Sequence, residues 1–181
     1  DPDIVLIGEI RDEETADIAI KFSLTGHLVF STLHANDAPS TVTRLIDIGI
    51  KPYLVGSSLS LVMAQRLVRK ICPYCIADYK PTEQEIMDAG LTEQDVREAK
   101  FKMGQGCVHC DNTGFSGRTG IFELLTVDKE IRQLIYDGGN QDLIRASALS
   151  SGMRTLHDAA VSKMKRGLTT IREVIKMTIV E

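Results

Sequence analysis

The segment DPDIVLIGEIRDEETADIAIKFSLTGHLVFSTLHANDA, residues 1–38, decides the fold. Ile4-Val5-Leu6-Ile7 is aliphatic and does not alternate with polar residues, as expected of a strand covered on both faces. From Asp12 to Thr25, Ala16, Ala19, Ile20 and Leu24 recur at helical spacing; Gly26 supplies a stop, and Leu28-Val29-Phe30 resumes the sheet. A strand, helix, strand order of this length is a βαβ unit, two parallel strands joined by a right-handed crossover. The first strand runs into Gly8-Glu9-Ile10-Arg11-Asp12 and the second into Ser31-Thr32-Leu33-His34. An acid and a histidine therefore stand at the same ends of neighbouring strands, where open α/β sheets bind their ligands.

Beyond this unit, Pro39 opens a short helix closed by Gly49, and Pro52 opens a longer one to about Lys70, with Leu59, Val62, Met63 and Leu67 along one side. From Cys72 to Gly120 the texture turns loop-rich, with two short helices beginning at Thr82 and Thr92; Thr82 with Glu85 is a capping-box pattern. Gly114-Phe115-Ser116-Gly117-Arg118-Thr119-Gly120 reads as turns, and Ile121 to Leu125 as a strand. The remainder is helical, with stripes at Ile131, Leu134 and Ile135, at Leu156, Ala160 and Met164, and at Ile171, Val174 and Ile175; Thr170 with Glu173 is another capping box. Three domains are expected, at 1–71, 72–120 and 121–181.

The four cysteines carry a signal that spacing alone supports. Cys72 and Cys75, and likewise Cys107 and Cys110, form Cys-x-x-Cys pairs separated by 31 residues. Two such knuckles can set four thiolates tetrahedrally around one structural zinc, and His109 is then superfluous as a ligand. A redox pair is the weaker reading, because neither pair sits beside a thioredoxin-like βαβ unit. The chain has 21 basic and 25 acidic residues for a net charge of −4, with no basic face to suggest direct nucleic-acid binding. It has no apolar run long enough to span a bilayer, and its first residues do not read as a signal peptide. Paired cysteines of this kind fit a reducing cytoplasm.

Residues 1–38 closely resemble the Walker B segment and histidine box of the ATPases that drive type II secretion and type IV pilus assembly. Ala64-Gln65-Arg66-Leu67, the tetracysteine module, the G-x-x-G-R-T-G-I wording and the C-terminal helices follow in the family order. The resemblance implies the C-terminal part of a RecA-like phosphate-loop ATPase core, hexameric and cytoplasmic, peripherally associated with the inner membrane through a platform protein. In many phosphate-loop ATPases an aspartate occupies the place of Gly8 and holds magnesium through water; here the burden falls on Glu9, which would polarise the water that attacks ATP.

By the same resemblance His34, with Thr32 beside it, would sense the terminal phosphate, while His27, at the other end of its strand, would pack. Arg66 would contact phosphate or a neighbouring subunit; a solvated basic helix end is an equal reading for it, and helix capping or a salt bridge, for instance to Arg11, is the alternative for Glu9. Assembly and secretion motors of the family commonly carry the tetracysteine insert, whereas retraction motors generally lack it. No G-x-x-x-x-G-K-[ST] loop occurs in these residues, so they should bind nucleotide weakly or not at all by themselves. The competing function is an autonomous zinc-stabilised interaction module in which Glu9 and His34 are structural.

Overall fold

A computed structural model describes residues 2–178, and the chain divides into two compact units, Asp1–Ala64 with Leu124–Met153, and Gln65–Glu123 with Arg154–Glu181. The first unit opens with the βαβ motif. Strand β1 (Ile4–Ile7) pairs parallel with β2 (Leu28–Ser31), Ile4 opposite Leu28 and Ile7 opposite Ser31, with helix α1 (Glu13–Leu24) between them. Asp12 starts α1 by accepting a hydrogen bond from the Thr15 amide at 2.8 Å. After α1, Gly26 takes φ +101°, a conformation that is costly for residues with a Cβ.

The expectation of a strand buried on both faces is corrected. Within this chain one face is bare: Ile4 and Leu6 are 61% and 76% exposed, and their partners Leu28 and Phe30 are 53% and 54% exposed. The opposite face, carrying Val5 and Ile7, is half-buried. Alternation is thus hidden in the sequence because both faces are apolar.

Helix α2 (Ala38–Asp47) is capped by Asp37, and α3 (Pro52–Ser58) follows. The long helix predicted over 52–70 is not formed. Leu59 leaves helical geometry at ψ 132°, the hydroxyls of Ser57 and Ser58 fold back onto Tyr53 O and Leu54 O, and β3 (Leu61–Ile71) begins. Val62 and Val68 are buried while Leu61, Met63 and Leu67 face outward, so the supposed helical stripe was a period-two strand. Its partner is β6 (Phe115–Thr126), much longer than the predicted strand over 121–125. The bonds from Cys72 N–H to Gly114 O and from Val127 N–H to Ser60 O show that the two strands run in opposite directions. An eleven-residue strand can be satisfied only by a partner of similar length, so Phe115–Gly120, predicted as turns, extend β6 instead.

Helices α6 (Lys129–Tyr136) and α7 (Gln141–Ser150) complete the first unit; α7 has no stripe in the sequence reading because it buries only Ile144 and Ala148. Ala16 and Ile20 of α1, Val42 and Leu45 of α2, Val55 of α3 and Ile131, Ile135 and Ile144 of α6 and α7 form one apolar core.

The second unit holds the hairpin of β4 (Ile76–Asp78) and β5 (Lys102–Gly104), and between these strands the chain forms α4 (Glu83–Asp88) and α5 (Glu93–Glu98). Both helices carry capping boxes, Thr82 with Glu85 and Thr92 with Asp95. Helices α8 (Leu156–Lys165) and α9 (Ile171–Thr178) supply Leu156, Ala160, Met164, Ile171 and Val174 to its interior. At Thr170 only half the predicted capping box exists. Glu173 N–H bonds to the Thr170 hydroxyl, but the Glu173 carboxylate turns to Arg69, accepting from its amide at 2.9 Å and from its guanidinium at 2.9 and 3.1 Å.

Candidate functional site

The ends of β1 and β2 are stitched together beyond the regular strands. Ile10 N–H donates to Thr32 O at 2.8 Å, and the Thr32 hydroxyl donates to Gly8 O at 2.7 Å. These bonds place Glu9 beside His34, whose Nε2 stands 2.6 Å from Glu9 Oε1. Arg11, two residues on, sets both Nε and Nη2 on the other oxygen, Oε2, at 2.7 and 2.6 Å. The hydrogen bond from Arg11 is the main reason the Glu9 carboxyl is held below its ordinary range; partial desolvation opposes it, and the charges of Arg11 and His34 add to it. Glu9 therefore stays ionised at neutral pH.

The two oxygens differ. Oε2 is held by Arg11, whereas Oε1, enclosed by the protein, stands against His34 Nε2 at 2.6 Å. A carboxylate oxygen has two lone pairs, so Oε1 keeps acceptor capacity for the O–H of a water beside His34. The His34 side chain is 91% exposed and can meet a ligand from outside.

The other residues singled out from sequence fall elsewhere. His27 Nδ1 lies 3.0 Å from the Thr25 hydroxyl and 3.1 Å from Phe22 O, with its ring edge-on to Phe22, at the start of β2. Arg66 lies on β3, not at a helix end, in the second unit rather than with Glu9 and His34. The reading of Arg66 as a basic helix terminus therefore lapses.

The second cluster is built by the β4/β5 hairpin. Pairing Ile76 with Gly104 brings the residues flanking those strands together, and Gln105 N–H donates to Cys75 O. Each Cys-x-x-Cys closes as a tight turn, Cys75 N–H to Cys72 O and Cys110 N–H to Cys107 O, the second continuing into left-handed Asp111 and Asn112. All four Sγ atoms lie within 4.8 Å of one another, with Cys72 to Cys107 and Cys75 to Cys110 at 3.9 Å and Cys107 to Cys110 at 3.7 Å. Those separations are far too long for a disulfide. They match the edge of about 3.8 Å that a sulfur tetrahedron has when each metal–sulfur bond is about 2.3 Å. The cluster can hold a metal ion.

Burial raises the Cys107 thiol to about 11 and also raises Cys75. At Cys110 burial acts in the same sense but is outweighed by the amides of Cys107 and Gly114, each 3.3 Å from Sγ, and the thiol falls to about 6. One thiolate is thus favoured by backbone donors, and a cation would be needed to ionise Cys75 and Cys107. Gly114 was not visible as a site residue in the sequence; only the density of glycines there hinted at close backbone approach.

The α/β architecture, the acid and histidine at parallel strand ends and the tetracysteine cluster together define a class: the chain belongs to the family described as Type II/IV secretion system protein, which matches residues 1–176. It is 44% identical over 179 residues to the type IV pilus assembly ATPase PilB of Thermus thermophilus, covering 99% of this chain and 20% of that protein. It is also 44% identical over 178 residues to the type II secretion system protein HxcR of Pseudomonas aeruginosa, covering 98% of this chain and 34% of that protein. The chain thus spans between a fifth and about a third of the length of these relatives. Among solved structures, the pilus retraction motor PilT with bound ADP matches with a TM-score of 0.64 and 26% identity over 98% of this chain and 40% of PilT. The Legionella pneumophila ATPase DotB shares the fold with a TM-score of 0.65 over 98% of this chain and 38% of its own, at 21% identity.

Proposed function

We propose that these residues form the C-terminal part of a RecA-like ATPase whose hydrolysis of ATP powers pilin or pseudopilin polymerisation in type IV pilus assembly or type II secretion. One observation carries the reading: Glu9 and His34 meet at the ends of adjacent parallel strands, His34 Nε2 standing 2.6 Å from Glu9 Oε1 while Arg11 holds Oε2. In this reading Oε1 orients the attacking water. A carboxylate held low by Arg11 is a weak base, so its contribution is orientation and polarisation rather than complete proton removal. His34, exposed beside it, is the donor that meets the terminal phosphate, and Thr32 fixes the strand end. Magnesium, when bound with ATP, supplies charge neutralisation at the phosphates. A phosphate loop elsewhere in the full-length protein would contribute most phosphate contacts.

The identity to assembly and secretion proteins, together with the tetracysteine cluster, supports that branch over retraction. The same resemblance supports a cytoplasmic hexamer that reaches the inner membrane through a platform protein, with Arg66 at phosphate or at a subunit interface. Among the described residues no helix is long and apolar enough to cross a membrane. Zinc is the ion that best suits four thiolates in a closed shell, and its role is structural because no coordination position is left for water.

The test is steady-state ATP turnover of the full-length protein carrying Glu9→Gln, expected to fall roughly a hundredfold or more with the fold intact. Normal turnover would instead favour the zinc-stabilised interaction module. Metal analysis of the purified chain is expected to give one zinc per molecule, lost together with the fold of residues 72–120 on chelation or in Cys107→Ser. A metal-free wild type that remains fully folded there would refute the zinc assignment.

A further inference from the structure

We infer that Thr32 serves hydrolysis as a positioning residue for Glu9 and not as a ligand of phosphate or magnesium. The inference rests on the role proposed for Glu9 in activating water. Between the end of β1 at Ile7 and the start of α1 at Glu13 the chain belongs to no helix or strand, and Glu9 lies in that stretch. Arg11 and His34 meet its carboxylate and so choose its rotamer. Where the Glu9 backbone stands is decided separately, by what holds the peptides on either side of it.

Thr32 holds both. Its hydroxyl donates to Gly8 O at 2.7 Å, immediately before Glu9, and its carbonyl accepts from Ile10 N–H at 2.8 Å, immediately after. Among the described residues these are the hydrogen bonds that the backbone of residues 8–10 makes. Ile10 has a second anchor, because its side chain packs on the apolar core. Gly8 has none: a Cβ there would meet nothing within 4 Å, and glycine has the freest backbone of any residue. The Thr32 hydroxyl therefore fixes the one peptide beside Glu9 that packing leaves loose, and with it the direction in which the Glu9 side chain leaves the chain. Displacements of about 1 Å at reacting groups can cost up to about a hundredfold in rate. The same bond spends the hydroxyl's only proton, and phosphate oxygens can be met only by a donor. A lone pair on Thr32 turned to magnesium is the rival role, and it makes a different prediction.

The test uses the full-length protein with Thr32→Val and Glu9→Gln, singly and together. Single-turnover ATP hydrolysis and affinity for a non-hydrolysable magnesium–ATP analogue are measured separately. Valine keeps the β-branched shape and removes the hydroxyl. Thr32→Val is expected to slow hydrolysis roughly tenfold, to change affinity for the analogue by less than about twofold, and to add almost nothing in the Glu9→Gln background. Thr32→Ser, which keeps the hydroxyl, should recover most of the rate. An unchanged rate in Thr32→Val overturns the inference. So does weakened analogue binding with a rate loss that persists in the Glu9→Gln background, the result expected of a phosphate or magnesium ligand. Normal hydrolysis by Glu9→Gln alone also overturns it, but does so by removing the proposed role of Glu9. Should Thr32→Val fail to fold, Thr32→Ala must show the same dependence on Glu9.

Discussion

Gly114 touches both cysteine pairs: its carbonyl accepts from Cys72 N–H at 2.9 Å and its own N–H donates to Cys110 Sγ at 3.3 Å. It sits at φ +76°, against Gly104 of β5, and a Cβ on either glycine would strike the other's carbonyl. Backbone on both sides cannot yield as a flexible side chain can. Gly104→Ala is accordingly expected to destabilise the second unit by about 2 kcal/mol and to weaken metal retention, read by thermal melting and by metal stoichiometry after dialysis. The sequence makes the glycines conspicuous, yet their partners are ten residues apart on different elements. Glu9 is the opposite case, since an acid closing an aliphatic run is legible by itself. A salt bridge to Arg11, only two residues away, is the competing role for that acid, and the structure divides the carboxylate, Oε2 to Arg11 and Oε1 to His34.

Among the elements, those marked by caps were legible and those fixed by distant partners were not. Asp12, Thr82 and Thr92 announce α1, α4 and α5 from within three residues. β3 was missed because Leu59, Val62, Met63 and Leu67 fit a helical period by coincidence, and only pairing with β6, about fifty residues later, decides otherwise. The insert between β4 and β5 shows how such partners act. Lys165 of α8 pairs with Asp95 at 2.7 Å and Glu98 at 2.8 Å, Arg172 of α9 with Glu85 at 3.1 Å, and His157 Nε2 lies 2.7 Å from Ala89 O. The bond from Lys165 leads the effects that bring Asp95 down to about 2. Lys165→Met should loosen α5 by about 1 kcal/mol, more at low salt than at high, seen as faster amide exchange over 93–98. Protection unchanged at both salt concentrations would show that apolar contacts alone hold the insert.

At the scale of the molecule, carboxylates with lowered pKa values set the acid limit. Glu173 is 5% exposed; burial alone would raise it, but Arg69 and Lys176 together bring it to about 2, against an ordinary 4.5. Because the folded value lies below the unfolded one, this stabilisation is fully present above about pH 4.5 and is lost as pH falls through about 2. Discounted for the exposure of Arg69, it is worth about 2 kcal/mol. Asp95, in the same unit, acts in the same direction over nearly the same range. The second unit should therefore unfold on acidification, and Glu173→Gln should lower its stability at pH 7 while flattening its dependence on pH between 5 and 2, measured by denaturant titration. None of this was readable from sequence, where Glu173 fitted a capping box and its partner Arg69 stood 104 residues away.

In the function proposed, Glu9 acts on the attacking water and not on nucleotide binding. The most direct measurement is to incubate the full-length Glu9→Gln protein with labelled ATP and magnesium, separate it from free nucleotide, and identify what remains bound. Intact ATP is expected on the variant, where the wild type yields ADP. ADP on the variant in the wild-type proportion would contradict it.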